Sequence, residues 1–152
     1  MKTFKMSFLL SVFIIFISAG FSYAQMGMMW QGSGGWGKGS SYCGMFDNSS
    51  IETFTGEVVS VDKFTPLRGM SNGVRLMVKT DKETVYVHLG PMWFIEKQDL
   101  KIEPKDKITV KGSKIVFDGK KTIMATEIKK GSEVLKLWDD RGYPLWSGHG
   151  WR

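Results

Sequence analysis

The chain has 152 residues, 42% hydrophobic and 24% charged, with a formal net charge of +6 and a single cysteine. The length suits one domain with tails, and the modest positive excess gives only slight support to an anionic partner. One cysteine excludes an internal disulfide, a tetrathiolate zinc site and a c-type haem attachment, which needs two cysteines and a histidine at fixed spacing.

Residues 1–24 read as a cleavable signal peptide. Lys2 and Lys5 give a positive start, and Phe8 to Gly20 is an apolar run broken only by serines. Ser22 and Ala24 then present small side chains before Gln25, the pattern of a cleavage site. The apolar run is about 13 residues, against the roughly 20 that a spanning helix needs. The expected chain is therefore exported to the periplasm, begins at Gln25 and carries no later transmembrane segment. An unpaired thiol in that oxidising compartment leaves the fold to hold by its core alone.

Residues 25–50 are dominated by Gly and Ser and show no hydrophobic period, so they read as a flexible leader. The leader holds Met26, Met28, Met29, Cys43 and Met45. Soft sulfur ligands suit Cu(I), so a copper-handling role is one reading of this set. The methionines form no regular array and have no nearby histidine, and a plain spacer is the simpler reading. No cofactor is expected.

The signal changes at Ile51. IETFTGEVVSVDKF is rich in β-branched and aromatic residues, with a bulge or bend expected at Gly56. GVRLMVKT and ETVYVHLG alternate strictly around an Asp81-Lys82 turn, which predicts an antiparallel hairpin. Pro91 opens a short helix at PMWFIEKQ. ITVKGSKIVF and TIMATEIKK follow as strands about an Asp118-Gly119 turn, and SEVLKLWD supplies a short sixth strand after Gly131. Strand, strand, strand, helix, strand, strand over 51–146 predicts a mainly β domain. Its class is a small five- to six-stranded antiparallel OB-like Greek-key barrel with one short helix between strands three and four. An SH3-like barrel is the rival and does not ordinarily place a helix there.

The chain ends in LWDDRGYPLWSGHGWR. Gly142 and Pro144 impose a turn, and exposed indoles are sticky. Trp138 and Trp146 are therefore expected to fold back onto the barrel near Trp93 and Phe94. Residues 147–152, with Trp151, are expected to be exposed. Alternation puts Arg75, Tyr86 and His88 on the polar face of strands two and three, the face that OB domains use for ligands. Two readings stand: a small binding patch, or polar cover that hydrogen-bonds the tail.

Chemistry-bearing motifs are scarce. There is no HExxH, CxxC, GxSxG or phosphate-binding glycine loop, and Asp139-Asp140 beside Arg141 reads as a charged turn. Nucleic acid is a possible OB ligand, with Tyr86, Trp93 and Trp138 as stacking rings. Export and the interleaving of lysines with acids weigh against it. The expected partner is a periplasmic protein or a small ligand. The ligand-binding candidates are Arg75, Tyr86, His88, Trp93, Trp138, Arg141 and Trp146.

Leu89-Gly90-Pro91 with Trp93, the KDKITVKGS turn and strand, Ala125 with Glu127-Ile128, and Asp139 to Trp146 with its Gly-x-Pro-x-Trp ending carry a resemblance. Together, over roughly 55–146, they resemble the domain of the MamS/MamX magnetosome proteins and, more distantly, the OB-fold stress proteins of the bacterial periplasm. The resemblance implies an OB-like barrel with a non-catalytic role. Some magnetosome members carry CxxCH haem segments; this chain has none, so covalent haem is not carried over.

Overall fold

The structure, a computed structural model, describes residues 34–146. Six strands make one sheet: β1 (Ile51–Phe64), β2 (Gly73–Lys79), β3 (Thr84–Pro91), β4 (Lys107–Phe117), β5 (Lys120–Lys130) and β6 (Glu133–Lys136). The short helix α1 (Met92–Ile95) stands between β3 and β4, where the sequence predicts it. The mainly β class and the strand order are those expected. Among the described residues no helix is long and apolar enough to cross a membrane.

β1 is long enough to serve two partners. Its first half, Ile51 to Glu57, pairs antiparallel with β4, and its second half, from Glu57 on, with β2. A register shift between Val58 and Ser60 separates the halves. The irregularity expected at Gly56 thus lies at Val59, because the strand bends where it changes partner. Gly56 itself pairs in register with Ile108. β2 and β3 form the predicted hairpin, closed by a Thr80 N–H to Glu83 carbonyl bond of 2.8 Å. β4 and β5 turn at Asp118-Gly119, both with positive φ (52° and 73°). Two such residues give the turn whose twist matches the flanking strands.

A parallel pairing of β3 with β5, Tyr86 to His88 against Thr122 to Met124, returns the hydrogen bonding to its start. The order β1-β2-β3-β5-β4 is therefore ring-like, and β6 is added outside it on β5. Closing the bonding this way hides strand edges. Inside lie Val58, Leu76, Val78, Val85, Val87, Leu89, Ile108, Val110, Ile123 and Ile128, all buried. Most come from alternate positions, as a half-buried strand requires; on β5, opposite a register shift between Lys111 and Gly112, the run Thr122 to Ala125 is buried throughout.

The reading of 25–50 as a flexible leader fails over 34–50. Trp36, Tyr42 and Cys43 are each at most 1% exposed and belong to the core. Two 3₁₀ turns, Cys43–Met45 and Asn48–Ser50, carry the chain across the sheet. Asp47 N–H donates to Ser113 Oγ on β4 at 2.9 Å, and that hydroxyl donates back to the Asp47 carbonyl at 3.0 Å. An irregular backbone leaves no period in the text, yet its side chains pack and its polar groups are satisfied. Residues 1–33 and 147–152, and with them the expected signal peptide, Met26, Met28, Met29 and Trp151, lie outside the described residues.

Candidate functional site

The segment before β1 and the tail after β6 meet on the outer face of the sheet and build a clasp of rings. Phe46 stacks on Trp138 with centroids 4.1 Å apart and planes 8° apart. Trp138 meets Trp146 edge-on at 5.7 Å, and Trp146 meets Trp36 at 6.1 Å. Trp36 touches Tyr42 at 4.9 Å and Phe64 at 6.2 Å. The indole N–H of Trp146 donates to the Trp36 carbonyl at 2.8 Å, and Lys38 Nζ donates to the Gly142 carbonyl at 2.7 Å. Each large ring so buried contributes about 2–3 kcal/mol, and the edge-on geometries add about 0.5–1.5 kcal/mol per pair.

Two glycines on adjacent strands make the seat. A Cβ at Gly73 would stand 2.5 Å from Trp36, and one at Gly90 would stand 2.7 Å from Trp146. The indoles lie where side chains of β2 and β3 would otherwise project. In the tail, Trp138 is buried, and Trp146 packs on the core with its ring 5.6 Å from that of Phe94. Trp93 touches Phe94 at 6.4 Å and stands beside this cluster, half-buried. Arg141 is exposed in a turn that Asp139 organises, its Oδ1 accepting from the Arg141 and Tyr143 amides at 2.9 Å each.

Beside the clasp a cleft of about 660 Å³ opens over β4, β5 and β6. Phe46, Trp138 and Leu145 line it with apolar surface; Lys111 and Lys136 supply positive charge, and Glu127, Asp139 and Asp140 negative charge. The cleft is thus mixed, with an apolar strip on one side and polar and charged groups of both signs on the rest.

Arg75, Tyr86 and His88 do come together, on β2 and β3, but the face they occupy is mostly closed. Arg75 pairs with His88 and Met77 with Tyr86 across the hairpin. His88 is 2% exposed, against Phe64 at 4.2 Å and Phe117 at 5.0 Å. Its Nδ1 is 2.9 Å from Tyr42 Oη. The expected polar cover is therefore real for His88, but its partner is the segment before β1, not the tail. Burial, then the nearby Arg75 guanidinium, pushes the His88 pKa down to about 3, and burial holds the Tyr42 phenol well above its ordinary value. Both are neutral near pH 7, so Tyr42 donates to an unprotonated imidazole nitrogen or accepts from Nδ1–H.

The described members of the sulfur set serve packing. Cys43 Sγ donates to the Trp36 carbonyl at 3.4 Å, and burial raises the thiol above its ordinary range. The thiolate that a metal would need is thereby disfavoured. Met45 rests against the core. Among the described residues no group of three His, Cys, Asp or Glu is placed to hold a metal ion. Sequence reasoning missed Trp36, Phe46 and Lys38 as partners of the tail, and Tyr42 as the partner of Trp36 and His88. The signal was present: three aromatic residues stand in a glycine-rich stretch, the same oddity that drew notice to the tail.

A search of curated proteins finds none that matches the chain. The model of the MamS/MamX magnetosome protein family matches residues 50–135, from the start of β1 nearly to the end of β6. The clasp residues 36–46 and 138–146 lie on either side of that span, and the chain belongs to the MamS/MamX magnetosome protein family.

Proposed function

We propose that the protein is an exported, non-catalytic binding module of the magnetosome-associated kind that its family name describes, built on an OB-like barrel. The cleft between the clasp and the outer face of β4–β6 seats a segment of a periplasmic partner. The observation that carries this reading is the cleft's wall. Phe46 stacked on Trp138 is held from both sides of the chain, so an apolar surface stands ready with charges of both signs around it. A preformed wall lowers the ordering cost of binding.

Two further features support the reading. A general base works best with a pKa near the operating pH, and His88, the one histidine among the described residues, is held near 3 by its burial. The face on which OB domains stack bases is covered here by Tyr42, Phe64 and Phe117, which disfavours nucleic acid.

Both halves of the proposal can be tested in producing cells. Export predicts periplasmic material whose N-terminus is Gln25; full-length chain retained in the membrane fraction would contradict it. For the cleft, a photo-crosslinking amino acid placed at Lys136 should give discrete adducts that the same group at Val116, 75% exposed and outside the cleft, does not. Absence of adducts at Lys136, or identical adducts from both positions, would remove the cleft from the account.

A further inference from the structure

A second, smaller recess lies on the covered face. Arg75 of β2, Tyr86 and His88 of β3, and Lys120 and Thr122 of β5 line about 30 Å³, with Phe117 and Asp118 at the β4–β5 turn. Two cations share one ring there. Arg75 Cζ lies 5.0 Å from the Tyr86 centroid and Lys120 Nζ 5.2 Å from it. Arg75 also lies 5.4 Å from the Phe64 ring. Aromatic faces hold cations in place, but they take few of the directed N–H bonds that a guanidinium offers.

The charges are incompletely answered. Neither Arg75 nor Lys120 takes part in the ion pairs found among the described residues. Arg75 Nε is buried and has no hydrogen-bond partner among them. Leaving a buried guanidinium N–H without an acceptor is destabilising. Asp118 stands at the exposed rim and offsets part of the charge. His88 adds none, since it is neutral near pH 7.

We propose that this recess is an oxyanion site, in which one carboxylate or phosphate group lies between Arg75 and Lys120. The guanidinium fork matches two oxygens of such a group, and the ammonium of Lys120 supplies a second positive charge. The recess is too small to enclose a whole carboxylate or phosphate, so it takes only the oxygens that face Arg75 and Lys120, while the rest of the group and its carrier stay in solvent. The recess and the cleft share no lining residue, so this site does not depend on the cleft.

The test uses the protein isolated after export. Sodium phosphate and sodium acetate are titrated separately, with sodium chloride at equal ionic strength as the baseline. The readout is the Arg75 Nε–H signal in ¹⁵N-edited NMR. The expected result is a saturable shift beyond that of chloride in at least one titration. Saturation at the lower concentration by phosphate identifies a phosphoryl carrier, and by acetate a carboxylate carrier. Lys120→Gln, at an exposed position, should weaken that binding about tenfold or more, as loss of one charge-assisted bond implies. Arg75→Lys keeps the charge and loses the fork, and should weaken it too; melting curves without anion show whether each variant is folded. A signal that follows chloride alone, or Lys120→Gln with unchanged affinity, would overturn the proposal.

Discussion

The ring interior and the clasp are both buried, but they differ in side-chain type and in the chain distance they span. The interior is aliphatic and comes largely from alternate positions of strands that mostly pair with near neighbours in sequence. The clasp is aromatic and joins segments 110 residues apart through the Trp146–Trp36 bond and 104 apart through Lys38–Gly142. The family match covers the first region and leaves the second outside its span. The comparison teaches that the two regions do separate jobs: the aliphatic interior closes the ring of strands, and the aromatic clasp shapes the outer surface and joins the segment before β1 to the segment after β6.

If the clasp is as integral as the interior, its rings should matter as much as core aliphatics. The largest single effect is expected at Trp36, fully buried among Tyr42, Phe64 and Trp146. Trp36→Ala should cost about 3–5 kcal/mol in urea unfolding, a large part of the 5–15 kcal/mol typical of a domain. Trp146→Ala should cost somewhat less, about 2–4 kcal/mol, since Trp146 is only partly buried. It also leaves the Trp36 carbonyl without its donor. A loss under 1 kcal/mol at both sites would break the comparison.

The Tyr42–His88 contact sharpens it through pH. Folded His88 binds a proton only near pH 3, whereas the unfolded chain protonates it near 6.5. The unfolded state therefore takes up more protons between these values. Stability contributed by neutral His88 is complete above about pH 6.5 and is lost as pH falls towards 3, by about 1.4 kcal/mol per unit. The lowered carboxyls of Asp47, Glu83 and Asp106 act in the same direction, but below their unfolded values of 3.8 to 4.5. The His88 slope is thus read between pH 6.5 and 5, about 2 kcal/mol in all, and His88→Gln should flatten it. An unchanged slope in that variant would place the titration elsewhere.

The smallest effect is expected at the seat. Gly90→Ala places a methyl 2.7 Å from the Trp146 ring, at a φ of 152°. It should cost about 1–3 kcal/mol by overpacking and should shift Trp146 fluorescence. The same substitution in a Trp146→Ala background should cost clearly less, because the clash is gone. Equal costs in both backgrounds would show that backbone strain, not the indole, sets the penalty.

Much of the first region was legible in the sequence. Val85, Val87 and Leu89 alternate with Tyr86 and His88, and Asp118-Gly119 marks its turn, so strands and hairpins could be placed from period and turn chemistry. The parallel β3–β5 closure left no local mark, since it joins residues far apart in the chain. The clasp was half legible. Gly142 and Pro144 between Trp138 and Trp146 announce a folded tail, but its partners Trp36 and Phe46 sit in irregular backbone among glycines. There no 2.0 or 3.6 period exists to separate a packed segment from a spacer. His88 was placed on the right strand and face; its burial depends on Tyr42, which was read as part of a solvated leader.

The central claim is that residues 34–50 belong to the fold. The most direct measurement compares the melting of a chain beginning at Ile51 with that of a chain beginning at Gln25. Removing Trp36, Tyr42 and Cys43 strips three core side chains and exposes His88, Phe64 and Phe117. The shorter chain should melt far lower or fail to fold cooperatively, and its Trp146 emission should move to the red. Coincident melting curves with unchanged emission would mean that the segment is only a spacer and that the clasp is not part of the folded protein.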